Sequence, residues 1–212
     1  YGTFDRAPSA SGQTPQGNRS SARYAAFDTS SDRTVELRLT TSFISQDQAR
    51  HNYDLELAGV SFEQAHAAVQ DAWNERLGVV HDVEGATDAQ LVNLYSSLYR
   101  LNLYPNSQFE NTGTEADPVY KYASPVAGTT GSASDTQTNA KIVDGKIYVN
   151  NGFWDTYRTV WPAYSLLYPE VAAEIADGFV QQYRDGGWVA RWSSPGYADL
   201  MTGTSSDVAF AD

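Results

Sequence analysis

Between Gly152 and Pro162 a carboxylate, a guanidinium and two indoles stand close together as Trp154, Asp155, Arg158 and Trp161. Asp155 and Arg158 are three apart, the spacing at which side chains on one helix face each other. On residue types alone they read as an ion pair beside a core tryptophan. Other reactive groups are sparse. With no Cys there is no thiolate nucleophile, no thiolate metal site and no disulfide framework. His51, His66 and His81 are isolated, without HExxH or carboxylate spacing around them, and read as helix-surface or core histidines. Glu84 precedes a helix start and reads as a solvated or capping acid. Asp207 and Asp212 fall in a final helix start, where a carboxylate suits the positive end of the backbone dipole and contact with a ligand is the competing reading.

Composition narrows the partners. Twenty-six acidic residues against fourteen Lys and Arg give a net charge of -12, with no basic block, so nucleic acid and anionic membrane are excluded as expected partners. No apolar stretch approaches the roughly twenty residues that cross a bilayer, and Tyr1 begins no charged-then-apolar secretion signal. The chain reads as soluble as given, and, because it does not begin with Met, as a processed form or a piece of something longer. Five Trp and fourteen Tyr in an acidic, Lys-poor chain suit flat neutral ligands such as sugar rings, with core filling as the alternative. The 41% hydrophobic content is enough for a packed core, in one ordinary domain or two small ones.

The elements that must position these groups follow from periodicity. Residues 1–21, rich in Ser, Gly, Pro and Gln, read as a loop or a tail laid on another surface. Strict alternation over 34–40 predicts a strand, with 24–27 as its shorter partner at the edge of a half-buried antiparallel sheet. A polar helical segment spans 45–57, with Gly59 as a stop. Capping boxes at Ser61-Phe62-Glu63-Gln64 and Thr87-Asp88-Ala89-Gln90 open two amphipathic helices, the first of about five turns and the second ending at Pro105, which together make a helical hairpin. Residues 106–139 form a long polar loop, functional or mobile. A β-hairpin turning at Asp144-Gly145 is expected over 141–149. Helical signals return over 153–168, interrupted by Pro162, and over 169–183, stopped by Gly186-Gly187; 188–206 reads as irregular, and Ser205-Ser206-Asp207 opens a last helix.

The run Gly152-Phe153-Trp154-Asp155-Thr156-Tyr157-Arg158-Thr159-Val160-Trp161-Pro162 resembles a motif of glycoside hydrolase family 92, whose members are mostly exo-α-mannosidases. Four further stretches agree in order: Ser42-Phe43-Ile44-Ser45 with Gln48-Ala49-Arg50-His51-Asn52; Ala72-Trp73-Asn74-Glu75-Arg76-Leu77 with Val83-Glu84-Gly85; Leu98-Tyr99-Arg100 with Pro105-Asn106; and Met201-Thr202-Gly203 through Asp207 to Ala211-Asp212. Together they cover roughly residues 20–212.

The resemblance implies a mixed fold, with the end of an antiparallel β-sandwich followed by the first helical hairpins of an incomplete (α/α)6 barrel. Its divisions are 1–43 as sandwich strands, 44–60 as a linker helix and 61–212 as the first part of the catalytic barrel, with a hairpin insertion near 141–149. It implies calcium-dependent, inverting release of terminal mannose from α-mannosides of glycans, by a bacterial-type secreted or cell-surface enzyme. Inversion needs an acid and a base carboxyl about 6.5–9.5 Å apart. The resemblance places both, and most Ca²⁺ ligands, in later motifs without a counterpart here, so no residue of this chain is assigned as catalytic or as a metal ligand. A companion polypeptide completing the barrel is therefore expected. What carries over by position is sugar holding by Trp154, Asp155 and Arg158, with Asp207 as an additional substrate contact: the carboxylate accepts from sugar hydroxyls, the guanidinium donates to them, and the indole covers a ring face. Many members have a short segment where this chain carries its long polar loop, and Thr204-Ser205 stands where many have an acid and a His, which leaves linkage preference open. Two other readings stand beside this one: a same-family hydrolase of mannosyl phosphodiesters, whose good leaving group makes the protonating acid dispensable, and a non-catalytic mannose-binding module.

Overall fold

The computed structural model describes residues 1–16, 20–134 and 137–211. It opens with four strands, β1 (Gly2–Phe4), β2 (Ala10–Gln16), β3 (Ser20–Ala26) and β4 (Leu37–Leu39). Two expectations fail here. The segment read as a loop or tail supplies β1 and β2, and β3 pairs with β2 from Ala10 opposite Ala26 to Gln16 opposite Ser20, so backbone bonds along seven residues replace the missing apolar anchors. The 24–27 segment does not pair with 34–40. Asp28 and Asp32 each accept a bond from the backbone N–H two residues on, at 2.9 Å, and these local turns direct the chain away from a hairpin. β4 pairs instead with β1, Gly2 opposite Leu39. Its alternation survives, but with Leu37 and Leu39 on an exposed face, Leu39 at 60% exposure.

Three helices follow, α1 (Gln46–Glu56), α2 (Phe62–Leu77) and α3 (Asp88–Leu101). Ser45 caps α1 through its side chain, and Gly59 turns the chain beyond it at a φ of +76°. Both capping boxes form, with Ser61 and Gln64, and Thr87 and Gln90, satisfying one another's backbone donors. Trp73 packs on Tyr99 at 4.6 Å between ring centroids and the Tyr95 hydroxyl donates to the Val80 carbonyl at 3.0 Å, so the two helices do form a hairpin. Yet α2 contains no buried residue, and its apolar stripe ends in Phe62 at 65% exposure.

The long polar segment is not a plain loop. It contributes β5 (Asn106–Ser107), β6 (Glu110–Asn111) and β7 (Tyr120–Ala123), followed by β8 (Ile142–Asp144), β9 (Tyr148–Val149) and β10 (Asn151–Gly152). The hairpin expected over 141–149 does not form: β8 pairs with β7 and β9 with β5. Asp144-Gly145 still turns the chain, and the Gly145 N–H bonds to the Tyr120 carbonyl at 2.8 Å, so the turn joins two sheets rather than two partners. Edges offered by 106–123 outcompete the local pairing.

The remainder is α4 (Phe153–Thr156), α5 (Val160–Leu167), α6 (Pro169–Gly186), β11 (Trp192–Ser193), β12 (Tyr197–Ala198) and α7 (Ser205–Ala209). The helical run breaks at 157–159 rather than at Pro162, because Pro162 sits in the first turn of α5, where a backbone N–H has no intrahelical partner to lose. Pro169 starts α6, and Gly187 ends it in the left-handed conformation. Residues 188–206, read as irregular, carry the β11–β12 pair. The core gathers here: Phe153, Trp161, Tyr164, Tyr168, Ile175 and Phe179 pack together with Ala209 of α7. The architecture is mixed, small antiparallel sheets followed by helices. No helix among the described residues is long and apolar enough to cross a membrane.

Candidate functional site

β10 leads directly into α4, and the strand-to-helix corner separates the motif's side chains. Phe153 points inward, 1% exposed, stacked on Trp161 at 5.8 Å and edge-on to Phe179 at 5.0 Å. Trp154, 51% exposed, and Asp155 and Arg158, both exposed, lie on the other side. Thr156 braces the corner: its hydroxyl lies 2.9 Å from the Gly152 carbonyl and 3.2 Å from Oδ1 of the buried Asn151.

Neither element of the ion-pair reading is present. Arg158 makes no ion pair with Asp155; its guanidinium lies over the Tyr157 ring at 4.6 Å, and Trp154 is outside the core. Asp155 is held from elsewhere, by the indole Nε1 of Trp192, which donates to Oδ2 at 3.1 Å. Trp192 stands on β11 directly opposite Gly152 on β10. A Cβ on Gly152 would come within 2.0 Å of that indole nitrogen and 2.4 Å of Asp155 Oδ2, so the glycine is what lets the two groups meet across the strand pair. Among the described residues Asp155 Oδ1 has no hydrogen-bond partner, so the carboxylate held at Oδ2 keeps one open acceptor oxygen; the exposed Trp154 indole and the Arg158 guanidinium, laid over Tyr157, flank it in sequence. Such a set can accept from and donate to hydroxyls of one small polar ring while covering its apolar face.

Asp207 is not brought into this set by any contact. It is exposed in the first turn of α7, its N–H bonded to the Thr204 carbonyl at 2.9 Å. α7 is anchored beneath, with Phe210 against Phe153 at 5.3 Å and Trp161 at 5.5 Å. Asp212 lies outside the described residues. Glu84 is exposed, and His51 Nε2 meets the Gly113 carbonyl at 2.7 Å, a structural contact.

Sequence reasoning missed Trp192 and the role of Gly152. Pro195-Gly196 is a turn signal between two short segments and could have exposed the β11–β12 pair, but nothing local says that its first residue crosses to residue 155.

Two carboxylates of α6 tie that helix to other elements. Burial pushes the Glu174 carboxyl up, but hydrogen bonds from Lys146 at 2.6 Å and Tyr148 at 2.5 Å, with the lysine's charge, outweigh it and hold the group below its usual range. Asp185 accepts from the Tyr122 hydroxyl at 2.8 Å and the Ser124 hydroxyl at 2.7 Å, and burial together with that carboxylate raises the tyrosine well above its ordinary value. Among the described residues no three His, Cys, Asp or Glu side chains come together as a metal site.

A family model for the glycosyl hydrolase family 92 catalytic domain matches residues 48–212. No curated protein matches the chain. Among solved structures, the family GH92 inverting mannosidase of Bacteroides thetaiotaomicron VPI-5482 is similar at 30% identity and a TM-score of 0.82, over 99% of this chain and 28% of that one. A second family GH92 α-mannosidase of Bacteroides thetaiotaomicron is similar in fold at 21% identity and a TM-score of 0.62, over 87% of this chain and 25% of that one. The latter's complex with mannoimidazole gives the same identity and TM-score over 24% of its length. The chain thus spans about a quarter of the length of these proteins.

Proposed function

Since the chain belongs to glycoside hydrolase family 92, we propose that it is the sugar-holding front part of an inverting, calcium-dependent exo-α-mannosidase that releases terminal mannose from α-mannosides of glycans. The observation that carries the proposal is the Asp155 carboxylate, held through one oxygen by Trp192 and open at the other, in the run that also carries the exposed Trp154 and Arg158. In this reading Asp155 accepts bonds from neighbouring hydroxyls of the terminal sugar, Arg158 donates to them, and Trp154 covers a ring face. Because the carboxylate is already oriented, binding forfeits little freedom of the protein. Asp207 is a further sugar contact, reached from α7.

The chain's role is confined to holding the sugar. The acid that protonates the leaving oxygen and the base that activates water belong to further polypeptide, as do most ligands of the calcium ion, which when bound would engage sugar hydroxyls. Residues 1–43 are strands of an N-terminal β-sandwich, 44–60 the linker helix, and 61–212 the first part of an (α/α)6 barrel, with an insertion near 141–149; a companion polypeptide completes the barrel over the uncovered face of α2. A bacterial, secreted or cell-surface location goes with this reading.

The test is mannose release from α-mannosides by the protein together with the polypeptide that completes it, with and without a calcium chelator. Release that stops on chelation is expected. Release untouched by chelation contradicts the calcium role, and mannose binding without any release favours the non-catalytic module.

A further inference from the structure

We propose that Gln182 is a positioning residue for the Asp155 carboxylate, acting through Ser193 and Trp192; the proposal rests on the reading of Asp155 as the sugar-holding group. Gln182 lies in the last third of α6 and its side chain is fully buried, although an amide there carries a desolvation cost that an apolar residue would avoid. Both hydrogens of its Nε2 are used, one on the Tyr148 carbonyl at 2.7 Å and one on Ser193 Oγ at 3.0 Å. The amide orientation follows from chemistry: a carbonyl accepts only, and the Ser193 hydroxyl spends its own proton on the Pro195 carbonyl at 2.7 Å.

That single amide therefore ties three elements. Through Tyr148 it holds β9, which continues by way of Asn150 into β10; through Ser193 it holds β11, whose other residue is Trp192. Ser193 is itself 0% exposed and sits opposite Asn151, so the Gln182 bond lands on the residue next to Trp192, across the strand pair from the residue next to Gly152. Two-residue strands pin their register weakly, and a slip of one residue would turn Trp192 to the opposite face. A buried donor fork from a neighbouring helix supplies the missing specification. The same helix approaches β9 closely at Gly178, where a Cβ would meet the Tyr148 ring at 2.7 Å, so α6 is near enough for a residue one turn later to reach both strands.

The test compares Gln182→Met, close in volume but unable to donate, with the milder Ser193→Ala, each alone and combined with Asp155→Ala. Two readouts are used: the ¹⁵N–¹H resonance of the Trp192 indole, assigned through Trp192→Phe, and affinity for methyl α-mannoside. Expected is an upfield move of the indole proton as its bond to Asp155 loosens, and an affinity loss of about tenfold for Gln182→Met and less for Ser193→Ala. In the Asp155→Ala background neither substitution should change affinity further, because their effect passes through that carboxylate. An unmoved indole resonance in both variants, or losses that add to that of Asp155→Ala, overturns the proposal. If the unsubstituted protein does not bind the mannoside at all, the sugar-holding reading fails instead, and the indole resonance still decides whether Gln182 sets Trp192. Should Gln182→Met not fold, Ser193→Ala carries the same comparison.

Discussion

Helices α2 and α6 have similar lengths and clear amphipathic stripes, and only one of them is buried. α6 sinks Ala172, Ile175, Gly178, Phe179 and Gln182, while α2 leaves Phe62 and Val69 exposed and has no buried residue. The difference lies in what each helix finds in the chain. α6 meets α5, β9 and the α4–α7 corner, all within the residues that follow Tyr148, and its apolar face closes on their aromatic side chains. α2 meets α3 and, through Arg76 in its last turn, the Tyr168 ring at 4.8 Å and the Tyr168 hydroxyl, which donates to the Arg76 carbonyl at 3.0 Å. An apolar stripe states a need for a partner; the partner itself has to come from elsewhere in the fold. This chain covers 28% and 25% of the two mannosidases it is similar to.

The largest effect is expected in the α6 cluster. Trp161→Ala is expected to cost about 3–5 kcal/mol, as truncations of fully buried aromatics do, read as a loss of midpoint in urea unfolding with an unchanged slope. A cost below about 1 kcal/mol would mean that this core is not what holds the described fold. Next comes Gly152→Ala, whose Cβ must displace Trp192 or Asp155; destabilisation of about 1–3 kcal/mol is expected together with weaker mannoside binding. Binding and stability both left intact would show the strand crossing to be incidental.

A smaller effect tests the brace between α6 and β9. The Glu174 carboxyl is held below its ordinary value of 4.5, so the stability it contributes is present above that pH and is lost as pH falls through the lower, folded-state value. The melting-temperature gap between the unsubstituted protein and Glu174→Gln should therefore be widest near neutrality and narrow in acid. Both partners are partly exposed, which limits the size of the gap. A gap constant from neutrality into acid would count against an ionised Glu174. The smallest effect is expected for Phe62→Ser and Val69→Ser in this chain alone, within about 0.5 kcal/mol of the unsubstituted chain; a cost of several kcal/mol would show that α2 already has its partner.

What sequence made legible follows the same division. Elements whose signals are local came through: the capping boxes of α2 and α3, Pro169 at the head of α6 and Gly187 at its end, each a matter of a few neighbouring backbone groups. Strand partners did not, because pairing is a competition among edges that lie far apart in the chain. Thus Tyr24, Ala25 and Ala26 pair with β2 as the end of β3, and Asp144-Gly145 turns between two sheets. The candidate site divides likewise. Trp154, Asp155 and Arg158 were visible as a compact run, and helical spacing suggested an ion pair that the break of the helix at 157–159 prevents. Trp192, thirty-seven positions from Asp155, carried no sign of its bond to that carboxylate.

The proposed function requires that Asp155, oriented by an indole, hold a mannose ring. Titration of methyl α-mannoside into the protein, followed by the indole resonances of Trp154 and Trp192 and repeated on Asp155→Ala, addresses it directly. Saturable movement of both indoles in the unsubstituted protein, and a loss of affinity of about a hundredfold or more in the variant with its melting temperature retained, is the predicted result. Equal affinity in the two proteins, or movement of neither indole, would contradict it.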